Sequence, residues 1–261
     1  MISVIQLGTL DYATGLRLQQ KLVDLRKSNQ IGDTLVLLEH TPVITLGRNA
    51  KESNIVAPAD LLAKKGVEVF ECDRGGDVTF HGPGQLVGYP IFDLRAQFAP
   101  NGERKTVGAV EYVRRIEEVL IRTCADYGIG TERVKGMTGV WTCGEAAPQA
   151  KIAAIGVHIS RAVTSHGFAL NVNTALDYFK LIVPCGISTK PVTSMQKELG
   201  RELPLNEIAE SVSRNFGRVF GSQILWLETL EALLGYKLDI PMKEPQELRE
   251  IRGEQQGDRF V

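Results

Sequence analysis

This 261-residue sequence lacks the common local signatures of metal, phosphate and membrane binding. Its four cysteines, Cys72, Cys124, Cys143 and Cys185, form no C-x-x-C pair, and none has a histidine at zinc-finger spacing. Its four histidines are scattered, so any metal site would have to be assembled by the fold. No basic stretch precedes an apolar one at the N-terminus, so no secretory leader and no disulfide framework is expected. No apolar run approaches the roughly 18 residues that span a membrane. Thirty basic against 31 acidic residues leave a net charge of −1, too balanced for an electrostatic nucleic-acid binder. There is no G-x-x-x-x-G-K-[ST], H-E-x-x-H or G-x-S-x-G. The run "GPGQLVG" misses the dinucleotide fingerprint by one residue and precedes a strand instead of a helix. What remains is a globular chain, expected in the cytoplasm, with 43% hydrophobic residues to build a core.

Periodicity supplies the elements. Residues 2–7 read as a strand, and a helix follows with Asp11 as N-cap and Leu18, Leu22 and Leu25 on one face. Strands are expected at "TLVLLEH", "VITLG", "VEVFEC", "DVTF" and "QLVGYPIFDL", with a short helix closed by Gly66 among them. Residues 106–127 form the longest helical pattern, its stripe running through Val110, Val113, Ile116, Val119 and Leu120. Strands follow at "GVWTC", "KIAAIGVHI" and "SHGFALNVN", and the chain turns helical from about residue 193. Strands in runs, without strict βαβ alternation, predict an α+β fold with a mixed, largely antiparallel sheet packed with helices. Residues 1–240 are expected to form one domain, and the charged stretch 241–261 a tail.

The densest glycine cluster is "RGGDVTFHGPGQ". A loop that only reverses the chain needs one or two glycines, whereas one that wraps a ligand uses more. Strict alternation along "KIAAIGVHI" puts Lys151 with Ala153, Ile155 and Val157, and puts Ile152, Ala154 and Gly156 on the other face. A lysine at the head of an apolar row is either partly out of water or reaches back into it. Gly167, Ala169 and Asn171 share a face of the next strand. If the small residues of the two strands align, they form a groove for an extended apolar chain, unless another element fills it. Cys185 sits between Pro184 and Gly186, where regular structure is disfavoured and a thiol is displayed; Cys72, beside the glycine run, is the alternative nucleophile. Cys124 and Cys143 read as structural.

Taken together, "RGGDVTFHGPGQLVGYPI", "KIAAIGVHI", "HGFALNVN" and "PCG" resemble the lipoyl(octanoyl) transferase family over most of residues 34–194. The resemblance implies a fold like the biotin- and lipoate-protein ligases. It implies transfer of an octanoyl group from octanoyl-acyl carrier protein to a lysine of lipoyl domains through a cysteine thioester. The acceptors would be the lipoyl domains of 2-oxoacid dehydrogenase complexes and the glycine-cleavage H protein. Carried over by motif, Cys185 and Lys151 are the catalytic pair. The substrate-binding residues fall on Arg74, Gly75, Gly76, Asp77, Val78, Thr79, Phe80 and His81, on Ala154, Ile155 and Gly156, and on Gly167, Phe168 and Ala169. No cofactor, metal, nucleic acid or membrane is implied. The stretch "TCGEAAPQA" before Lys151 is expected as a surface loop or hairpin. The rival readings are an ATP-dependent ligase of related fold, which needs no cysteine nucleophile, and an acyl-binding module without covalent chemistry.

Overall fold

Asp11 closes the first strand and opens the first helix: its carboxylate accepts from the Thr14 amide at 2.8 Å, satisfying one of the unpaired amides of the first turn. The computed structural model describes residues 1–98, 104–144, 148–183 and 191–236. Its first elements are β1 (Ile2–Leu10), α1 (Tyr12–Lys27), β2 (Asp33–His40), β3 (Val43–Leu46), α2 (Ala59–Lys64), β4 (Glu68–Glu71), β5 (Val78–His81) and β6 (Gln85–Ile91). A two-residue ribbon, β7 (Gln97–Phe98) and β8 (Arg104–Lys105), leads to α3 (Ala109–Asp126), β9 (Thr131–Val134), β10 (Met137–Thr142), β11 (Lys151–Ser160) and β12 (Val163–Asn171). The chain continues through α4 (Met195–Leu199), α5 (Leu205–Phe220), β13 (Ile224–Leu227) and α6 (Leu230–Leu234).

Eight strands form one sheet in the order β13-β1-β2-β6-β12-β11-β10-β9. The first two pairings are parallel and the rest antiparallel, as the sequence pattern predicts. A second sheet, β4-β3-β5, carries the glycine-rich segment. Alternation along the strands makes the large sheet apolar on both faces. One face, with Leu35, Leu37, Leu86 and Leu170, packs under Ile116, Val119 and Leu120 of α3 and Val212 and Phe216 of α5. The other, with Val36, Leu38 and Val87, packs under Leu18, Leu22 and Leu25 of α1. Since α5 shares the main core with α3, the helices after residue 193 belong to the same body as the sheet.

Two sequence expectations change. Val110 is 76% exposed, because α3 buries Tyr112, Ile116, Val119, Leu120 and Cys124, a stripe that Val110 does not share. The chain after residue 193 is not helical throughout: β13 returns to pair with β1. The stretch before Lys151 links β10 to β11, with Thr142 N donating to Ala150 O at 2.9 Å. The expected tail, 241–261, lies outside the described residues. Among the described residues no helix is long and apolar enough to cross a membrane.

Candidate active site

The part of the sheet that α1 leaves uncovered faces the glycine-rich segment across a cavity of about 370 Å³, a size typical of small-ligand sites. Arg74, Gly75, Gly76, Asp77, Thr79 and His81 line one wall. Lys151, Ala154, Ile155 and Gly156 of β11 and Gly167, Phe168 and Ala169 of β12 line the other. Register aligns the small residues, pairing Ala154 with Ala169 and Gly156 with Gly167. Ile155 and Phe168 border the cavity, but their side chains pack in the main core. Val78 and Phe80 do not line it; alternation along β5 turns both into the core of the small sheet. Cys185, with Pro184 and Gly186, lies outside the described residues.

Lys151 reaches the cavity through a β-bulge. Val140 pairs with Ala153, but Trp141 pairs with Lys151, so Ile152 is an extra residue in β11. Ile152 and Ala153 are both buried in the core, and Lys151 is carried onto the face of Ala154. The expectation that Lys151 shares a face with Ala153, Ile155 and Val157 is therefore corrected: one inserted residue inverts the alternation upstream of it. The Lys151 ammonium lies 4.8 Å from the centroid of the Trp141 ring. Gly139 (φ +121°) lets β10 come close; a Cβ there would stand 2.6 Å from Ala153 O.

The glycine-rich wall is docked on β11 by backbone. Gly75 N donates to Val157 O at 3.0 Å, and a Cβ on Gly156 would stand 2.7 Å from Gly75 O. Arg74 is buried and ties its own loop together. Its Nη2 donates to Thr45 O and Asp77 O, each at 2.7 Å, and its Nε to Thr45 Oγ1 at 3.2 Å. Among the described residues it forms no ion pair, and its charge lies beside the cavity.

Several cavity-lining residues escaped the sequence reading, among them Tyr12, Asn49, Val87, Tyr89, Met137 and His166. Tyr12, Asn49 and Met137 have no motif around them, whereas Val87, Tyr89 and His166 lie inside the quoted motifs without being singled out. Tyr89 donates to His40 Nε2 at 2.5 Å, and His40 Nδ1 donates to Leu10 O at 2.9 Å, so His40 is a neutral, satisfied histidine. Burial lowers it to about 4. Burial, with the neighbouring His40 and Arg74, lowers His81 to about 3. Burial also raises the phenols of Tyr12 and Tyr89, so these four side chains are polar but uncharged. At the rim, Asp73 holds His166 Nε2 on one carboxylate oxygen and His158 Nδ1 on the other, both at 2.7 Å. Burial raises Asp73, but its hydrogen bond to His166 and the two imidazoles outweigh this and hold it low.

Three cysteines lie among the described residues. Cys124 is buried in the main core, and burial pushes its thiol up to about 12. Cys143 is exposed at the end of β10, and Cys72 donates to Leu46 O at 3.4 Å without lining the cavity. Among the described residues, no cluster of three His, Cys, Asp or Glu could hold a metal ion.

The family described as lipoyl protein ligase A/B catalytic domain matches residues 11–217. An octanoyltransferase of Koribacter versatilis is 65% identical over 251 residues, covering 96% of this chain and 97% of its own. One from Acidobacterium capsulatum is 59% identical, with 90% and 96% covered. The chain belongs to the octanoyltransferase family. Among solved structures, a bipartite lipoate-protein ligase of Thermoplasma acidophilum superposes with a TM-score of 0.66 at 15% identity, over 91% of this chain and 98% of that one. A lipoate-protein ligase A bound with ATP gives 0.65 at 15% identity, over 88% and 89%. At such identities the likeness is one of fold, and it matches the α+β arrangement expected from the sequence. The two cavity walls fall within the matched residues 11–217, so the site belongs to the catalytic domain itself.

Proposed function

We propose that this octanoyltransferase acts in protein lipoylation, moving the octanoyl group from acyl carrier protein to a lysine of a lipoyl domain through a thioester on Cys185, with Lys151 as proton carrier. One observation carries the reading: the chain that emerges from the Cys185 segment is bonded to Lys151. Lys151 N donates to Pro191 O, and Thr193 N to Lys151 O, both at 2.9 Å. Pro191 follows Cys185 by only six positions. On the other side, Val183 N donates to Asn54 O at 2.7 Å, and Asn54 Nδ2 reaches Asp77 of the glycine-rich wall at 2.7 Å. Both flanks of Cys185 are thus tied to the two walls of the cavity.

The Cys185 thiolate attacks the thioester carbonyl, and the carrier thiolate leaves, taking a proton from the Lys151 ammonium. The acceptor lysine then attacks the acyl-enzyme. Lys151, now a neutral amine, takes the proton released from that nitrogen, and the Cys185 thiolate departs. Exchange of one thioester for another is nearly balanced, while amide formation is downhill, so no nucleotide is consumed. The Ala154–Ala169 and Gly156–Gly167 pairs give the alkyl chain a flat apolar bed, and the buried Arg74 charge favours the oxyanion electrostatically.

Intact-mass spectrometry after mixing with octanoyl-acyl carrier protein tests this. A hydroxylamine-sensitive octanoyl adduct on Cys185, absent in Cys185→Ala, is expected. Strict dependence on ATP with free octanoate, without an adduct, would overturn the reading.

A further inference from the structure

Two buried amides, Gln85 on β6 and Asn171 on β12, lie between the glycine-rich wall and Lys151. Their orientation is fixed by carbonyls, which only accept. Asn171 Nδ2 donates to Thr193 O at 2.9 Å, leaving Asn171 Oδ1 as the acceptor for Gln85 Nε2 at 2.9 Å. Gln85 Nε2 also donates to Phe80 O at 3.2 Å, which confirms its orientation. Gln85 Oε1 therefore accepts from His81 Nδ1 at 2.7 Å, and the proton on Nδ1 makes His81 Nε2 an acceptor. That nitrogen faces Thr45 Oγ1 at 3.4 Å, the longest link. Thr45 Oγ1 already accepts from Arg74 Nη2 at 2.9 Å, so its own proton is free for His81. The chain ends where Thr193 N donates to Lys151 O.

We infer that Arg74, Thr45, His81, Gln85, Asn171 and Thr193 form one directional relay of hydrogen bonds that sets the position of Lys151 against the glycine-rich wall, with Gln85 and Asn171 as positioning residues. Every donor in the relay points the same way, from the loop towards Lys151. Its members are at most 8% exposed, so water does not replace a missing link cheaply. A recess of about 20 Å³, room for about one water, is bounded by Gln85, Asn171, Thr79 and Lys151. The relay thus borders the surroundings of Lys151 as well as holding its peptide. The bulge at Ile152 explains the need. Bulged backbone has an incomplete ladder, and the Lys151 peptide takes its partners from Pro191 and Thr193, not from β10 alone. The positioning role rests on the reading of Lys151 given above.

The test uses the near-isosteric variants Asn171→Leu and Gln85→Met. Amide hydrogen exchange at Lys151 and Thr193 reports the end of the relay without reference to the reaction. Exchange at both is expected to speed about tenfold in Asn171→Leu, with Ile155 and Phe168 unchanged. The kcat for transfer from octanoyl-acyl carrier protein should fall about tenfold, with KM within twofold. Gln85→Met cuts the chain one link earlier and should shift the same two amides less; it decides the matter if Asn171→Leu does not fold. Unchanged exchange at Lys151 and Thr193 overturns the relay and leaves the Cys185–Lys151 reading standing. Faster exchange with wild-type kcat overturns the positioning role, whereas the catalytic reading of Lys151 falls only if Lys151→Ala also keeps the parental kcat.

Discussion

The ammonium of Lys151 rests 4.8 Å from the centroid of the Trp141 indole, on the neighbouring strand. The bulge at Ile152 makes this contact by setting Trp141 directly opposite Lys151. An indole face attracts a cation by about 0.5–2 kcal/mol, depending on how dry the site is. Trp141→Phe keeps an aromatic ring but weakens that attraction, so octanoyl transfer should slow about three- to tenfold, with KM for the donor nearly unchanged. Steady-state kinetics with octanoyl-acyl carrier protein checks this. A rate equal to that of the parent would show that the indole does not hold the amine.

Gly156 lies where the two cavity walls meet backbone to backbone. A methyl group there meets Gly75 O at 2.7 Å, a backbone atom with no rotamer to escape into. Gly156→Ala should push the glycine-rich wall off β11, raising KM for the acyl donor about tenfold while the thermal midpoint moves by only a few degrees. A parental KM would mean that the wall can shift without touching the acyl site.

Stability should fall as the solution is acidified, before the carboxylates titrate. His40 and His81 are held neutral by burial, at about 4 and about 3, against 6.5 in the unfolded chain. Below pH 6.5 the unfolded state binds protons that the folded state refuses. Each histidine then removes about 1.4 kcal/mol per pH unit until its own folded value is reached. The urea midpoint should be flat from pH 8 to 7 and drop clearly between pH 6.5 and 5. Equal midpoints at pH 7 and pH 5 would show that these imidazoles charge without cost.

Glu117 holds β10 to α3 from inside. Its side chain is 1% exposed; it accepts from Arg114 at 2.7 Å, from Arg133 at 3.2 Å and from Gly139 N at 3.2 Å. Glu117→Ala strands that amide and leaves Arg114 without its carboxylate, while Arg133 keeps Glu118 at 2.8 Å. A loss of about 3 kcal/mol in urea unfolding is expected. Glu117→Gln, which can still accept from Gly139, should recover part of it.

The sequence made the groove legible because small residues recur with period two, and the two-residue turn at Arg161–Ala162 sets them opposite one another. It concealed the face of Lys151, because a bulge adds one residue without a compositional mark. The relay was equally hidden: His81 and Gln85 share the glycine-rich segment, but Thr45, Asn171 and Thr193 come from three others, and only the fold makes them neighbours. Strand β13 was missed for a different reason. Leu225 and Trp226 are each 41% exposed, so its four residues show no clean alternation of buried and exposed sites. The polar floor of Tyr12, His40 and Tyr89 left no signal, since each side chain reads alone as an ordinary core residue.

The pairing of Ile2 with Ile224 has a consequence for biosynthesis. Among the described strands β1 comes first and its partner β13 last, so its outer edge waits for β13 to be covered, because a parallel pairing cannot be closed by a local turn. While the ribosome is still extending the chain, β1 offers bare amides and carbonyls to any other nascent strand. The delay between synthesis of β1 and synthesis of β13 therefore sets how long that edge is open to aggregation.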